Sequence, residues 1–436
     1  CYPPRPMTDA PLTMLRVFRF WLPLAATWLM MAVEGPLLAA IIARLPEPTY
    51  NLAAYGVAFS LALVAEAPVI MIMSAATALA RDRLSYLRLR NFTLVLSAGV
   101  TIVMAVALAP PFYDWLARDL IGLPDEVASR TYIALVILLP WPGTIGLRRL
   151  FQGVLIRAGL TRRVALGTVI RLATMTATAT LLFRMGGVEG AWLGAAALTV
   201  GVSCEAIACR LMTQGALRRL LATNEGPTGA TTSYRALSRF YYPLALTALL
   251  SLGIHPVVTF FIGNSRASLE SLAVLPVVGA LVFIFRSIGL AYQEVVIALV
   301  GENQEGYAVL RRFALLLSVA VIAGLGLIAW TPLAGVWFHV VSGLPDELAR
   351  FALGPTQILA IMPGLTALLS FQRAIMVVRN STTGITWATL IEVIGVVAVL
   401  WIAIAHLDVV GAIAAAAALL LGRIGANLSL IPALKA

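Results

Sequence analysis

Long apolar runs recur along the chain, each closed by a short polar or basic segment. A bilayer core about 30 Å thick needs about 20 apolar residues in helical form, and runs of that length are found near 17–43, 52–79, 92–116, 128–156, 164–183, 188–209, 238–262, 270–300, 313–337, 350–378, 383–405 and 409–432. A membrane β-barrel would instead show alternating segments of about ten residues. The pattern therefore predicts an all-α polytopic membrane protein of about 12 transmembrane helices.

The polar stretch from Met212 to Ser238, with Gly215, Gly226, Pro227 and Gly229, divides the runs six and six. Domains are expected at 1–211, with six helices, and at 238–436, with six more, joined by a cytoplasmic linker at 212–237. The halves repeat one another at an offset of 220 that drifts to 221. Arg19-Phe20-Trp21-Leu22-Pro23-Leu24 matches Arg239-Phe240-Tyr241-Tyr242-Pro243-Leu244, and Gly122-Leu123-Pro124-Asp125-Glu126 matches Gly343-Leu344-Pro345-Asp346-Glu347. Pro36 matches Pro256, Pro142-Gly143 matches Pro363-Gly364, and Gly190-Ala191 matches Gly411-Ala412. Units of six spans enter the membrane in the same sense, so the repeats are parallel and surround a central cavity on an axis along the membrane normal. The major facilitator architecture and that of the multidrug, oligosaccharide-lipid and polysaccharide exporters both have this form. Pro36, Pro142, Pro256 and Pro363 fall inside apolar runs, remove a backbone donor each, and predict helix breaks that shape the cavity.

Composition sharpens this reading. Hydrophobic residues make up 61% of the chain and charged residues only 12%, against about 25% charged in soluble domains. The net charge of +11 has a topological origin rather than one in nucleic-acid binding. With the N-terminus inside, the inner segments carry 19 Lys and Arg residues and the outer loops six, an imbalance that places both termini in the cytoplasm. Cys1 is no translation start, Met7 is the expected one, and no cleavable signal peptide is recognisable. Cys204 and Cys209, five apart, predict different helix faces and packing rather than a disulfide or a metal site. No metal site and no cofactor are expected, beyond a coupling proton or sodium ion. The G-x-x-x-x-G-K-[ST] phosphate loop is absent from the sequence, so no ATP hydrolysis by that route, and no enzyme, is expected.

Charges inside apolar runs cost about 2.5–3.5 kcal/mol each on insertion scales and therefore mark cavities or partners. Glu66 and Arg286 occupy equivalent positions with opposite charge, as do Arg171 and Glu392. Both couples are candidate ion pairs between the halves, the first as a gate. Glu34, a candidate proton-coupling carboxylate, lies one residue from the position matching His255. Glu34, Glu66, His255, Arg286, Tyr292, Gln293 and Glu294 are the expected cavity-lining residues, between the first, second, seventh and eighth spans. Arg148 and Arg149, beside a Pro/Gly break, are candidates for attracting an anion. Glu205 and Arg423 are expected as packing partners, and His339 and His406 as interfacial residues.

Arg19-Phe20-Trp21-Leu22-Pro23-Leu24, the run Leu52-Ala53-Ala54-Tyr55-Gly56-Val57-Ala58-Phe59-Ser60-Leu61, and Arg81-Asp82-Arg83 resemble the opening third of the progressive ankylosis (ANK) family. Phe240-Tyr241-Tyr242-Pro243-Leu244-Ala245-Leu246 and Val409-Val410-Gly411-Ala412 resemble its second half. The family is grouped with the MATE-like superfamily, the multidrug-oligosaccharidyl-lipid-polysaccharide exporters. The resemblance implies two six-helix bundles around a V-shaped cavity and outward movement of anions such as ATP, citrate or pyrophosphate. The chain lacks the long polar C-terminal tail of the animal members, and its intramembrane charges match theirs only in part. Arg81-Asp82-Arg83-Leu84-Ser85 also departs from the Gly-x-x-x-Asp-Arg-x-Gly-Arg pattern of the major facilitators. The Arg-rich, nearly Lys-free composition suggests a GC-rich bacterium and its inner membrane. The expected function is a secondary-active exporter of a small anionic or amphipathic solute by alternating access. A proton- or sodium-coupled multidrug antiporter, a lipid-linked saccharide flippase and a non-transporting scaffold or receptor are the alternatives. The lipid bilayer and a small-molecule substrate are the expected partners, with no nucleic acid and a monomeric transport unit.

Overall fold

The computed structural model describes residues 12–222, 233–301, 305–379 and 383–435, without the side chains of 433–435. Cys1, Met7 and the middle of the expected linker lie outside the described residues. Among the described residues twelve helices are long and apolar enough to cross a membrane. Spans 1–6 are Met14–Ile42, Pro48–Leu79, Arg83–Ala107, Asp125–Arg157, Thr161–Met185 and Gly190–Ala222. Spans 7–12 are Tyr234–Gly263, Ser268–Leu299, Tyr307–Ala329, Asp346–Val378, Thr383–His406 and Gly411–Pro432. Span 6 continues past residue 211, where the linker was expected to begin, because Leu217, Leu220 and Leu221 pack on the apolar cluster around Tyr86 and Leu150.

The repeat is visible in the irregularities of the helices. Span 1 breaks at Val33 and span 7 at Gly253, and spans 2 and 8 break at Met71 and Ala291. Pro36 and Pro256 lie in the first turn of the resumed helices, and Pro142 and Pro363 start theirs in spans 4 and 10. A first-turn residue has no intrahelical acceptor for its N–H, so proline is tolerated there while it ends the helix before it. After spans 3 and 9 the chain makes matched wide turns, Trp115–Leu120 and Val336–Val341. Gly122 and Gly343 follow them at φ 74° and 70°, a left-handed conformation that glycine adopts without steric cost. The Asp-Glu pairs of the two repeated motifs then open spans 4 and 10, where acidic side chains favour the positive end of the helix dipole. Asp82 caps span 3, its Oδ1 accepting from the Leu84 and Ser85 amides at 2.9 Å each. The Arg81–Ser85 segment is therefore a helix start.

At the end of the molecule where span 1 finishes and span 2 begins, one buried apolar cluster draws on both halves, joining Ile42, Leu52 and Val127 to Ile262, Leu272 and Leu348. At the opposite end, the one rich in arginine, the core divides. Val17, Trp21 and Ala25 of span 1 pack on spans 8, 9 and 10, while Leu237 and Tyr241 of span 7 pack on spans 2, 3 and 4. The first helix of each half thus docks on the other half, and the second and eighth spans diverge towards the basic end.

Candidate functional site

Two pseudo-symmetric sets of hydrogen bonds tie the halves together. At the shared-core end Arg44 Nη2 donates to the carbonyls of Val340 (2.6 Å) and Val341 (3.0 Å). Its repeat equivalent, Asn264, donates through Nδ2 to Leu120 (3.0 Å) and Ile121 (3.2 Å). The acceptors are carbonyls at the ends of the two wide turns, Ile121 being the first residue after its turn. Nearer the basic end Trp21 Nε1 donates to the Ile288 carbonyl at 3.2 Å, and its equivalent Tyr241 donates through its hydroxyl to Pro68 at 2.5 Å. Those acceptors stand three residues before the breaks at Ala291 and Met71. Between the two sets, a Cβ on Gly56 would come within 2.7 Å of Pro276 Cγ. Gly56 and Pro276 are themselves an equivalent pair, so the pseudo-axis passes between them.

That position explains why the expected inter-half ion pairs do not form. Glu66 and Arg286 lie ten residues, about 15 Å of helix, further along spans 2 and 8, where the halves have parted. Instead, each half satisfies its charges internally. In the first half Arg148 Nη1 lies 2.6 Å from Glu205 Oε2, and Gln152 Nε2 donates to Glu205 Oε1 at 3.0 Å. Arg171 bridges Glu205 (3.5 Å) and Glu34 (2.5 Å). Spans 1, 4, 5 and 6 are thus joined by one network around Glu205, which is 1% exposed. Arg149 reaches Gln152 at 3.4 Å, and buried Glu66 accepts from Trp141 Nε1 at 3.2 Å. In the second half Arg423 holds Glu392 through Nη2 (2.7 Å) and Nε (2.9 Å), so Glu392 pairs with span 12 rather than with Arg171.

The halves differ sharply in charge balance. The first combines Glu34, Glu66 and Glu205 with Arg148, Arg149 and Arg171. The second has buried Glu392, and Glu294 exposed nearer the basic end of span 8, against Arg286, Arg373 and Arg423. Among the described residues no carboxylate lies within ion-pair distance of Arg286 or Arg373. Among the described residues Arg373 Nη2 donates to Thr389 Oγ1, at 3.2 Å, and the buried Nε atoms of Arg286 and Arg373 have no hydrogen-bond partner. Both guanidinium groups lie within electrostatic reach of Arg423 and Glu392, and His255 within reach of Arg286.

The other expected site residues divide. Glu294 is exposed near the basic end and Gln293 half-buried. Tyr292 is a core residue, fully buried, its hydroxyl donating to the Leu310 carbonyl at 2.7 Å and its ring stacked on Phe313 at 5.2 Å. It does not line a cavity, because its turn of span 8 faces spans 9 and 10. Arg148 is spent on Glu205. His339 lies at the surface, 3.3 Å from Asp346, and His406 packs on Trp401. Arg373 was not among the expected site residues. Its sequence signals are that it is a charge inside an apolar run and that it stands where Gln152 stands in the first half.

Among solved structures, a MATE family transporter of the MOP superfamily in an inward-facing conformation aligns over 94% of both chains with a TM-score of 0.74 at 13% identity. The lipid II flippase MurJ, inward closed, aligns over 95% of this chain and 88% of its own with a TM-score of 0.73 at 14% identity. The chain has the MATE transporter fold. A MOP superfamily transporter from Pyrococcus furiosus, in which reverse polarity of the binding pocket suggests a different function, also shares it, with a TM-score of 0.63 at 15% identity over 96% of this chain and 94% of that one. No protein-family model and no curated protein matches the sequence, so the likeness to the ANK family rests on the short motifs alone. Within the MATE fold, the helix breaks, the crossed first helices and the uneven charge of the two halves are the features on which a transport reading must rest.

Proposed function

We propose that the protein is a secondary-active exporter that carries a small organic anion, of the organic-acid, nucleotide or pyrophosphate class, out of the cytoplasm by alternating access, without catalysing a reaction. The observation that carries the anion class is the pair Arg286 and Arg373. A mid-span cation costs about 2.5–3.5 kcal/mol on insertion scales, a substantial part of a total stability of about 5–15 kcal/mol. Such a charge is stable in a folded span where an anion or cavity water offsets the cost. Arg286 is mid-span, lies within electrostatic reach of His255, and has no carboxylate within ion-pair distance among the described residues. The alternation reading is supported by the shared core at one end and the divided core at the other. The basic residues cluster at the divided end, so with Lys and Arg inside both termini are cytoplasmic and the structure opens inward. An inner bacterial membrane is the expected site.

Efflux from proteoliposomes loaded with labelled citrate, ATP or pyrophosphate tests the proposal. Wild-type protein should release at least one of these anions and Arg286→Ala should not. Release of a cationic dye alone would overturn it. That outcome would favour a second reading, supported by Glu66: it is 6% exposed and has no cation within ion-pair distance among the described residues. In that reading Glu66 binds a proton or sodium ion and the protein is a multidrug antiporter.

A further inference from the structure

Away from the centre, a cavity of about 450 Å³ opens at the basic end of the first half, where spans 2, 4, 5 and 6 terminate. The volume falls within the range of about 300–1,000 Å³ typical of ligand sites. Its wall carries Arg157, Arg163 and Arg219 above an apolar floor that includes Val154, Leu160 and Leu220. Arg157 Nη1 donates to the Thr77 carbonyl at 2.9 Å, and Arg163 Nη1 to the Met212 carbonyl at 2.6 Å. These bonds fix the two guanidinium groups but occupy only part of the five donors each possesses. No carboxylate lies within ion-pair distance of Arg157 or Arg163 among the described residues, and Arg81 adds further positive charge beside Arg157. The 25-residue helix of span 5 begins at the cavity; its first turn has no side-chain cap, although the Arg163 amide donates to the Leu160 carbonyl at 3.0 Å, and its dipole also favours an anion.

The chemistry is that of a phosphate group attached to an apolar body. Span termini lie at headgroup depth, and basic pockets between spans on the cytoplasmic side suit anionic headgroups. On the same helices, exposed Leu166, Val169, Ile207 and Leu211 provide an apolar surface for acyl chains. We infer that this cavity binds the phosphate of an anionic phospholipid from the leaflet at the basic end, separately from the transport site. The lipid would clamp spans 4, 5 and 6, the helices that the Glu205 network joins deeper in the membrane.

Native mass spectrometry of the purified full chain, titrated with phosphatidylglycerol and phosphatidylcholine, tests the inference. Wild-type protein should retain phosphatidylglycerol preferentially. Each arginine near a headgroup contributes about fivefold in affinity, so Arg157→Gln with Arg163→Gln should weaken retention about 25-fold. Ala216→Asp, which keeps the arginines but sets a carboxylate in the cavity wall, should also reduce it, and serves if the double variant is not monodisperse. Equal retention of the two lipids, or retention unchanged in both variants, would overturn the inference. So would full displacement of phosphatidylglycerol by inorganic phosphate, since the cavity would then serve a soluble anion.

Discussion

Replacing Arg44 by alanine should loosen the shared-core end of the molecule by a calculable amount. Arg44 donates two inter-half hydrogen bonds, at 2.6 and 3.0 Å. Bonds to charged groups are worth about 1.5–3 kcal/mol each, but Arg44 is exposed and water competes for both carbonyls, so about 0.5–1 kcal/mol each is the appropriate share. The substitution therefore removes about 1–2 kcal/mol from the closed state of this end, which shifts the equilibrium towards an outward-open state by about 5- to 30-fold. The bond from Arg44 Nη1 to the Ala40 carbonyl, 2.6 Å, lies within span 1 and does not alter this figure. Double electron–electron resonance between spin labels at Asp125→Cys and Asp346→Cys would read the shift. These side chains are 88% and 89% exposed and occupy equivalent positions on the two halves. The native cysteines, Cys1, Cys204 and Cys209, are replaced by serine. A longer-distance population should grow in Arg44→Ala and stay constant in Arg184→Ala, which removes a charge at the same end without an inter-half bond. An unchanged distance distribution in Arg44→Ala, or equal growth in both variants, would refute the assignment of these bonds as a latch.

Other consequences concern stability and closure. Arg148→Ala should destabilise the protein by about 3 kcal/mol, the lower part of the range for breaking a buried ion pair, because Gln152 and Arg171 still partner Glu205; denaturant or thermal melts in detergent would show it. Arg286→Leu should leave thermal stability unchanged or raised, since no carboxylate is orphaned, whereas Arg423→Leu should lower it by isolating Glu392. Gly263→Ala should populate the outward-open state in the same resonance experiment, because its Cβ would meet the Ile121 carbonyl oxygen at 2.0 Å, and a closed shared-core end in that variant would contradict the packing. Tyr241→Phe should cost about 1 kcal/mol through loss of its bond to Pro68, measurable by the same melts.

Much of the architecture was legible because lipid imposes it. Apolar run length gives the spans, loop arginines give the basic end, and paired prolines give the breaks. The repeat offset also identifies Arg44 with Asn264 and Trp21 with Tyr241, though nothing in the sequence says that these side chains reach the other half. Ion pairing was not legible. Equivalent residues face each other only where they border the axis, as Gly56 and Pro276 do, while Arg171 and Glu392 lie on peripheral spans and Glu66 and Arg286 beyond the point of divergence. The rotation of span 6, which carries Glu205 between Arg148 and Arg171, depends on packing against three neighbours and leaves no clear period in a helix that is apolar on most sides. Tyr292 was misplaced for a similar reason. Its polar neighbours Gln293 and Glu294 suggested a wet face, but successive helical positions differ by about 100°, and the phenol faces the core.

The central claim is that the unbalanced arginines of the second half form an anion site, and the most direct test is ligand-induced stabilisation of the purified protein. A ligand at 100 times its dissociation constant stabilises its target by about 2.7 kcal/mol, which a thermal melt resolves. Citrate, pyrophosphate or ATP should raise the melting temperature of wild-type protein and leave that of Arg286→Gln unmoved. Stabilisation by a cationic dye but by none of these anions, or an anion effect that survives Arg286→Gln intact, would contradict the account.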